Sequence, residues 1–189
     1  MADARHVGGN ILFARRSFVL QRGGEALWEK VLARLHPDDG KELRRTVLVT
    51  ATYPLELNLR LDDAIAGVLF PGEPDRAFIE MGRSSADVNL SGPQKAFVRP
   101  GEPQYLLSFA ESIYAYYYGE GRRTYEKTGP TAATLTTHDA PETNRRDCLT
   151  VVGWHQRAIE ICGGKDVVVQ EVRCHSRGDQ VCEYRCSWK

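Results

Sequence analysis

The sequence predicts an α+β fold, in which N-terminal helices precede a C-terminal ββαββ unit with an antiparallel sheet. Three observations predict it. Through the first two thirds, apolar residues recur at steps of three and four, in blocks opened by proline. From Arg122 to Thr137 the residues turn short and Thr-rich and break at Gly129-Pro130, as two strands joined by a turn do. The closing segment alternates strictly, with Cys182, Tyr184, Cys186 and Trp188 on one side and Glu183, Arg185 and Ser187 on the other.

Taken in order, Leu27, Val31, Leu32 and Leu35 mark a short amphipathic helix between Gly24 and Pro37. After Pro54, Leu55, Leu57, Leu59 and Leu61 alternate as in a half-buried strand. The three-four step then continues through Ile65, Val68 and Leu69 to Pro71, which favours a helix. Pro74 opens a helix carrying Phe78, Met81 and Val88. Pro103 opens another, with Leu106, Phe109, Ile113 and Tyr117 on one face, ending at Gly119. Pro141 to Cys162 is helical again, stopped by Gly163-Gly164. The Val-rich run Asp166 to Cys174 has the character of a strand covered on both faces, and residues 176–179 form a turn.

At 189 residues the chain suits one domain, 1–189, in which residues 1–120 are mainly helical and residues 121–189 form the ββαββ unit. Lys plus Arg and Asp plus Glu number 25 each, so the long-range field that a sequence-independent nucleic-acid binder needs is missing. The longest apolar stretch near the N-terminus, Ile11 to Ala14, is too short for a signal-peptide core, and no run is long enough for a membrane span. A cytoplasmic location is expected. There, five cysteines suit thiolate ligands or core thiols better than disulfides.

The informative cysteine pattern is Cys148, Glu171, Cys174 and Cys182, spread over a helix, a strand end and the start of the next strand. Thiolates are soft, high-affinity zinc donors and a carboxylate is an accepted fourth ligand. Glu171 and Cys174 are three apart, so a regular strand would send them to opposite faces, and the chain must bend or bulge for both to reach one ion. His175 competes with Glu171 as fourth ligand. Cys162 and Cys186 read as packing thiols, and Cys148 on an apolar helix face admits that reading too.

Residues 148–182, including Gly153-Trp154 and Gly178-Asp179, resemble the end of 4-vinyl-reductase domains, in particular the sensor domains of phenol-responsive transcription activators. The resemblance implies a structural zinc on Cys148, Glu171, Cys174 and Cys182. Arg145, Arg146, Arg173 and Arg177 lie close enough in sequence to offset its charge. The same resemblance implies a fold related to transport-protein-particle (TRAPP) subunits and haem nitric-oxide-binding domains, a homodimer, and an internal apolar cavity for a small hydrophobic or aromatic molecule. Haem itself is set aside, since neither a Tyr-x-Ser-x-Arg segment nor a convincing proximal histidine is present.

Candidate ligand contacts are Trp154, Tyr125, His155, Phe109 and Tyr117, each of which could equally be an ordinary core residue. Tyr125 falls about where the phenol sensors place a ligand-contacting tryptophan. Those sensors continue into ATPase and DNA-binding domains, whereas this sequence stops at Lys189, so a stand-alone sensor or adaptor acting through an unidentified protein partner is expected. The alternative is a TRAPP-like interaction module without a ligand. An enzyme is less favoured, because no dinucleotide loop, nucleophile elbow or open metal site appears. A thiol redox sensor built on Cys182 and Cys186 is disfavoured by their separation along one strand.

Overall fold

Prolines and glycines set most of the element ends, and a computed structural model describes residues 6–140 and 144–189. Helix α1 (Gly9–Leu32) is interrupted at Gly23 and Gly24, the latter at φ 64°, so two helical segments meet at a glycine break. The sequence reading finds only the second segment. The first buries Asn10 and Arg15 alongside Leu12, Phe18 and Val19, and those polar residues hide its apolar stripe. Helix α2 (Pro37–Arg44) starts at the proline read as a boundary, with Asp38 and Asp39 in its first turn and Arg44 in its last. It buries only Gly40 and Leu43, which left no periodicity to detect. Two short strands, β1 (His6–Gly8) and β2 (Thr52–Pro54), pair antiparallel.

The alternating leucines belong to helix α3 (Leu55–Leu69). Residues two apart on a helix point to nearly opposite sides. Leu55 and Leu59 enter one core cluster while Leu57 and Leu61 enter a second, so α3 is buried on two sides. Helix α4 (Pro74–Ser91) follows. The single helix expected after Pro103 is two, α5 (Pro103–Leu107) and α6 (Ala110–Tyr117). The break falls where Ser108 Oγ donates to Tyr105 O at 2.7 Å and Phe109 stacks on Phe97 at 4.8 Å.

Strands β3 (Arg122–Gly129) and β4 (Ala132–His138) form the hairpin, helix α7 (Arg145–Ile161) follows, and β5 (Val168–Arg173) and β6 (Cys182–Ser187) close the chain. The expected start of α7 at Pro141 lies outside the described residues, and the helix is capped by Asn144, whose Oδ1 accepts from Asp147 N. The sheet is antiparallel throughout, in the order β3-β4-β6-β5. Strand β5 is therefore an edge and not a strand covered on both faces. Val169 is buried but Val168 is 56% exposed, because the helices cover one face of the sheet only. Cys182, Tyr184, Cys186 and Trp188 point into the core together.

Helices α4 and α7 meet at a glycine notch. A Cβ built on Gly153 would stand 2.8 Å from the Ile79 carbonyl carbon, and one on Gly82 would stand 2.9 Å from Trp154 N. Only glycine lets the two backbones come so close.

Candidate functional site

Cys148 sits in the first turn of α7, where unpaired backbone N–H groups favour a thiolate. Glu171 comes near the end of β5, and the β5–β6 register shifts between Glu171 and Arg173, the bend that the ligand spacing requires. The chain leaves the strand at Cys174, makes a 3₁₀ turn over His175–Arg177, reverses at Gly178 with φ 94°, and returns at Cys182. Asp179 fixes this loop by accepting from Cys174 N at 2.7 Å.

The outcome is four donor atoms, from Cys148, Glu171, Cys174 and Cys182, all within 4.8 Å of one another. Cys148 Sγ lies 3.4 Å from Cys174 Sγ and 3.9 Å from Cys182 Sγ. His175 contributes its backbone N–H, to Cys182 Sγ at 3.3 Å. The Cys148 thiol is pushed far above its ordinary value, first by its bond to Cys182 and then by burial, and burial raises Cys174 as well. Thiols this close cannot ionise together unless a cation sits among them. Glu171 is 7% exposed, with Oε2 accepting from Arg177 at 3.0 Å, while Oε1 is buried with no hydrogen-bond partner. Of the four arginines expected near the cluster, only Arg177 bonds a donor residue. Arg145 pairs with Asp75, Arg146 with Asp63 and Arg173 with Glu183. Cys162 and Cys186 are buried core thiols, Cys186 being raised to about 12 by burial.

Nearly two turns further along α7, Trp154 and His155 border a chamber of about 40 Å³ shared with Tyr117 and Tyr118 of the α6 end, Arg15 of α1 and Arg123 of β3. Trp154 Nε1 donates to Tyr117 Oη at 3.1 Å, and that hydroxyl donates to Gln94 Oε1 at 3.2 Å. His155 bonds Val151 O through Nδ1 at 2.8 Å. Burial, and then the charge of Arg123, hold its pKa down at about 3, so the ring is neutral.

The structure thus gathers Trp154, His155 and Tyr117, and leaves two expected contacts elsewhere. Phe109 packs between Phe97 and Tyr105, and Tyr125 donates to Gln104 Oε1 at 2.6 Å on the β3 side. Phe109 is displaced because the helix after Pro103 breaks just before it, and Tyr125 is held on the β3 side by its bond to Gln104. Sequence reasoning missed the buried charges. Arg15 is 3% exposed and bonds Asp62 at 2.6 Å and Ser85 Oγ at 2.8 Å. Arg123 is 6% exposed, and strand parity with Tyr125 is the signal that could have found it. A smaller void of about 20 Å³ lies between Arg123, Asp147, Tyr184 and Cys182, sharing Tyr118, Arg123 and Val151 with the chamber's wall.

The model of a family described as a protein of unknown function, DUF2378, matches residues 20–189. Solved structures share the fold. An H-NOX protein from S. oneidensis in the Fe(II)NO ligation state is 14% identical, over 96% of this chain and 99% of that one, at a TM-score of 0.72. An Fe(II) unliganded H-NOX protein from K. algicida is 11% identical, over 96% of each chain, at 0.69. A structure solved to probe heme distortion in the H-NOX family is 13% identical, over 96% of this chain and 95% of that one, at 0.72. No curated protein matches the chain. Among the described residues, no helix is long and apolar enough to cross a membrane.

Proposed function

Because the chain belongs to the DUF2378 family, whose description names no activity, its function has to be argued from the site, and we propose a zinc-stapled binding domain that senses a small molecule. The observation that carries the metal is Glu171 Oε1, a buried carboxylate oxygen with no hydrogen-bond partner, facing three thiols. A buried acceptor without a partner is costly, and a cation removes the cost. The geometry suits zinc. Zn–S bonds of about 2.3 Å in a tetrahedron put sulfurs roughly 3.8 Å apart, and the sulfur pairs here stand at 3.4 and 3.9 Å. Bound there, zinc would tie the N-terminus of α7 to both strands of the β5–β6 hairpin. With all four positions filled by protein, the ion supplies cohesion and no activated water, so the domain is read as a binder and not a catalyst.

The H-NOX structures are described with Fe(II) and heme, and this chain does not suit a haem. The chamber of about 40 Å³ is far short of the roughly 300 Å³ at which small-molecule pockets begin. His155, the one buried histidine among the described residues, is bonded to Val151 O. Tyr117, Trp154 and His155 occupy the interior themselves, which supports a smaller ligand and a domain of the 4-vinyl-reductase type.

The proposal includes residues 1–189 as one domain, a homodimer, a cytoplasmic location and a protein partner that receives the signal. The small chamber also favours a second reading, a TRAPP-like interaction module filled by its own side chains. Native mass spectrometry of the purified protein tests both. One zinc per chain with an organic adduct supports the sensor, and zinc without an adduct supports the interaction module. A reduced, carefully prepared sample holding no stoichiometric metal overturns the zinc assignment.

A further inference from the structure

The chamber beside Trp154 is bordered by a guanidinium that no carboxylate contacts directly among the described residues. Two arginines border it, both nearly inaccessible, and they differ in one respect. Arg15 has a carboxylate partner, Asp62, on its guanidinium, and a hydroxyl partner in Ser85. Arg123 has neither. Among the described residues its guanidinium makes a single hydrogen bond, Nε to Thr137 Oγ1 at 3.0 Å, and no carboxylate is in ion-pair range. Its other neighbours are ring faces, with the centroid of Tyr114 at 4.9 Å and that of Tyr184 at 5.7 Å. Asp147, which borders the smaller void with it, accepts the Tyr118 hydroxyl at 2.6 Å and acts on Arg123 through its charge from beyond ion-pair distance.

A buried guanidinium without a directly bonded counterion is costly, and its two terminal nitrogens form a planar fork matched to two oxygens of one anion. The free space beside it is about 40 Å³. At some 10–15 Å³ for each water-sized atom, that is room for about three non-hydrogen atoms, the size of one carboxylate group. The hydroxyls bordering the same space are already committed, Tyr117 donating to Gln94, Tyr118 to Asp147 and Ser85 to Met81 O, so the open donors are those of Arg123. Ile11, Ile113, Val151 and Trp154 give the wall apolar surface, which limits competing water and strengthens a charged contact. We infer that the chamber binds a small carboxylate anion, clamped by the terminal nitrogens of Arg123. This inference rests on reading the chamber as the sensor's ligand site, and it names the ligand's chemistry.

The test is isothermal titration calorimetry of sodium formate and sodium acetate into the full-length, zinc-loaded protein, at constant ionic strength against chloride. Wild type and the exposed-neighbour control Arg122→Met are expected to bind formate saturably, one per chain. Arg123→Met is expected to bind at least tenfold more weakly. If Arg123→Met fails to fold by circular dichroism, Arg123→Lys decides, since it keeps the charge and removes the fork. A tenfold loss in that variant supports the inference, and unchanged affinity overturns it. Absence of saturable binding to wild type, or equal affinity in Arg123→Met, also overturns it. A longer acid, hexanoate, separates the sources. Tighter binding than acetate identifies the head of a larger acid, and weaker binding a free short acid, both within the proposal. A neutral co-purified ligand held equally well by Arg123→Met would sink the carboxylate while leaving the sensor reading intact.

Discussion

Replacing Gly153 by alanine should destabilise the protein, although the same change in an open helix stabilises it. Alanine is favoured over glycine in a helix interior by about 1 kcal/mol. At Gly153 the new Cβ would stand 2.8 Å from the Ile79 carbonyl carbon and 3.0 Å from Ile79 Cα, where 3.4 Å is ordinary contact, and nearer still to the carbonyl oxygen. These are backbone atoms of α4, so no side chain can turn aside and the helix must move. It is held by the Arg83–Glu160 fork at 2.8 and 3.1 Å, and Gly82 forms the opposite half of the same notch. Overpacking typically costs ~1–3 kcal/mol, and an immobile backbone partner belongs at the upper end. Net of the propensity gain, a loss of about 2 kcal/mol is expected, a large share of a domain's 5–15 kcal/mol. The control is Gly67→Ala on α3, where nothing lies within 4 Å of the added carbon, so the gain of up to ~1 kcal/mol should appear undiminished. Urea unfolding of the three proteins measures both changes. If Gly153→Ala matches or exceeds wild type, the close approach of α4 and α7 is wrong, and with it the walls of the chamber.

Three further outcomes are expected. Cys174→Ser should lose the metal and about 3 kcal/mol or more of stability, read by zinc content and thermal melting; a full zinc equivalent in that variant refutes the ligand set. His155 has a folded pKa near 3 and an ordinary value of 6.5, so the unfolded chain binds the extra proton first and stability falls as pH drops below 6.5. Between pH 7 and pH 5 wild type should lose about 2 kcal/mol more than His155→Gln, and parallel pH profiles would contradict the buried neutral ring. Asp62→Asn should cost about 3–5 kcal/mol by leaving Arg15 buried with its charge unmatched. The double variant Arg15→Met, Asp62→Leu should recover at least half of that loss in urea, and a loss equal to the single variant's would count against the ion pair.

What was legible in the sequence is what depends on parity, on punctuation and on one-dimensional spacing. The β6 alternation, the hairpin at Gly129-Pro130 and the helices opened by Pro74 and Pro103 follow from those rules. The need for a bend after Glu171 was visible because side chains three positions apart on a regular strand point to opposite faces. The first half of α1 was hidden because Asn10 and Arg15, polar residues that normally face water, are turned inward. Arg15 is sheltered by Asp62, which is 47 positions away, and no local pattern announces a pair that far apart. The candidate contacts divided for the same reason. Trp154 and His155 are adjacent on α7, and Tyr117 reaches them from the end of α6, but the break at Ser108 turns Phe109 toward Phe97 and out of the chamber.

Helix α7 joins the two features of the site, and its mooring decides how they can communicate. Its first turn supplies Cys148, its middle supplies Gly153 to the α4 notch and Trp154 and His155 to the chamber, and its last turn supplies Glu160 to Arg83. A helix fixed at both ends and the middle cannot swing to admit a ligand without breaking one of those attachments. The opposite wall differs. Tyr117 and Tyr118 come from α6, an eight-residue helix between the break at Ser108 and the turn at Gly121, where φ is 79°. Its register is set by β1, through the Val7–Tyr118 bridge. On the proposed reading, a ligand that enlarges the chamber should therefore move α6 and the β1–β2 ribbon against a stationary α7. On the same reading, a zinc ion on Cys148 would hold α7 still, so that the binding free energy of a sensed ligand would appear as motion on the other side.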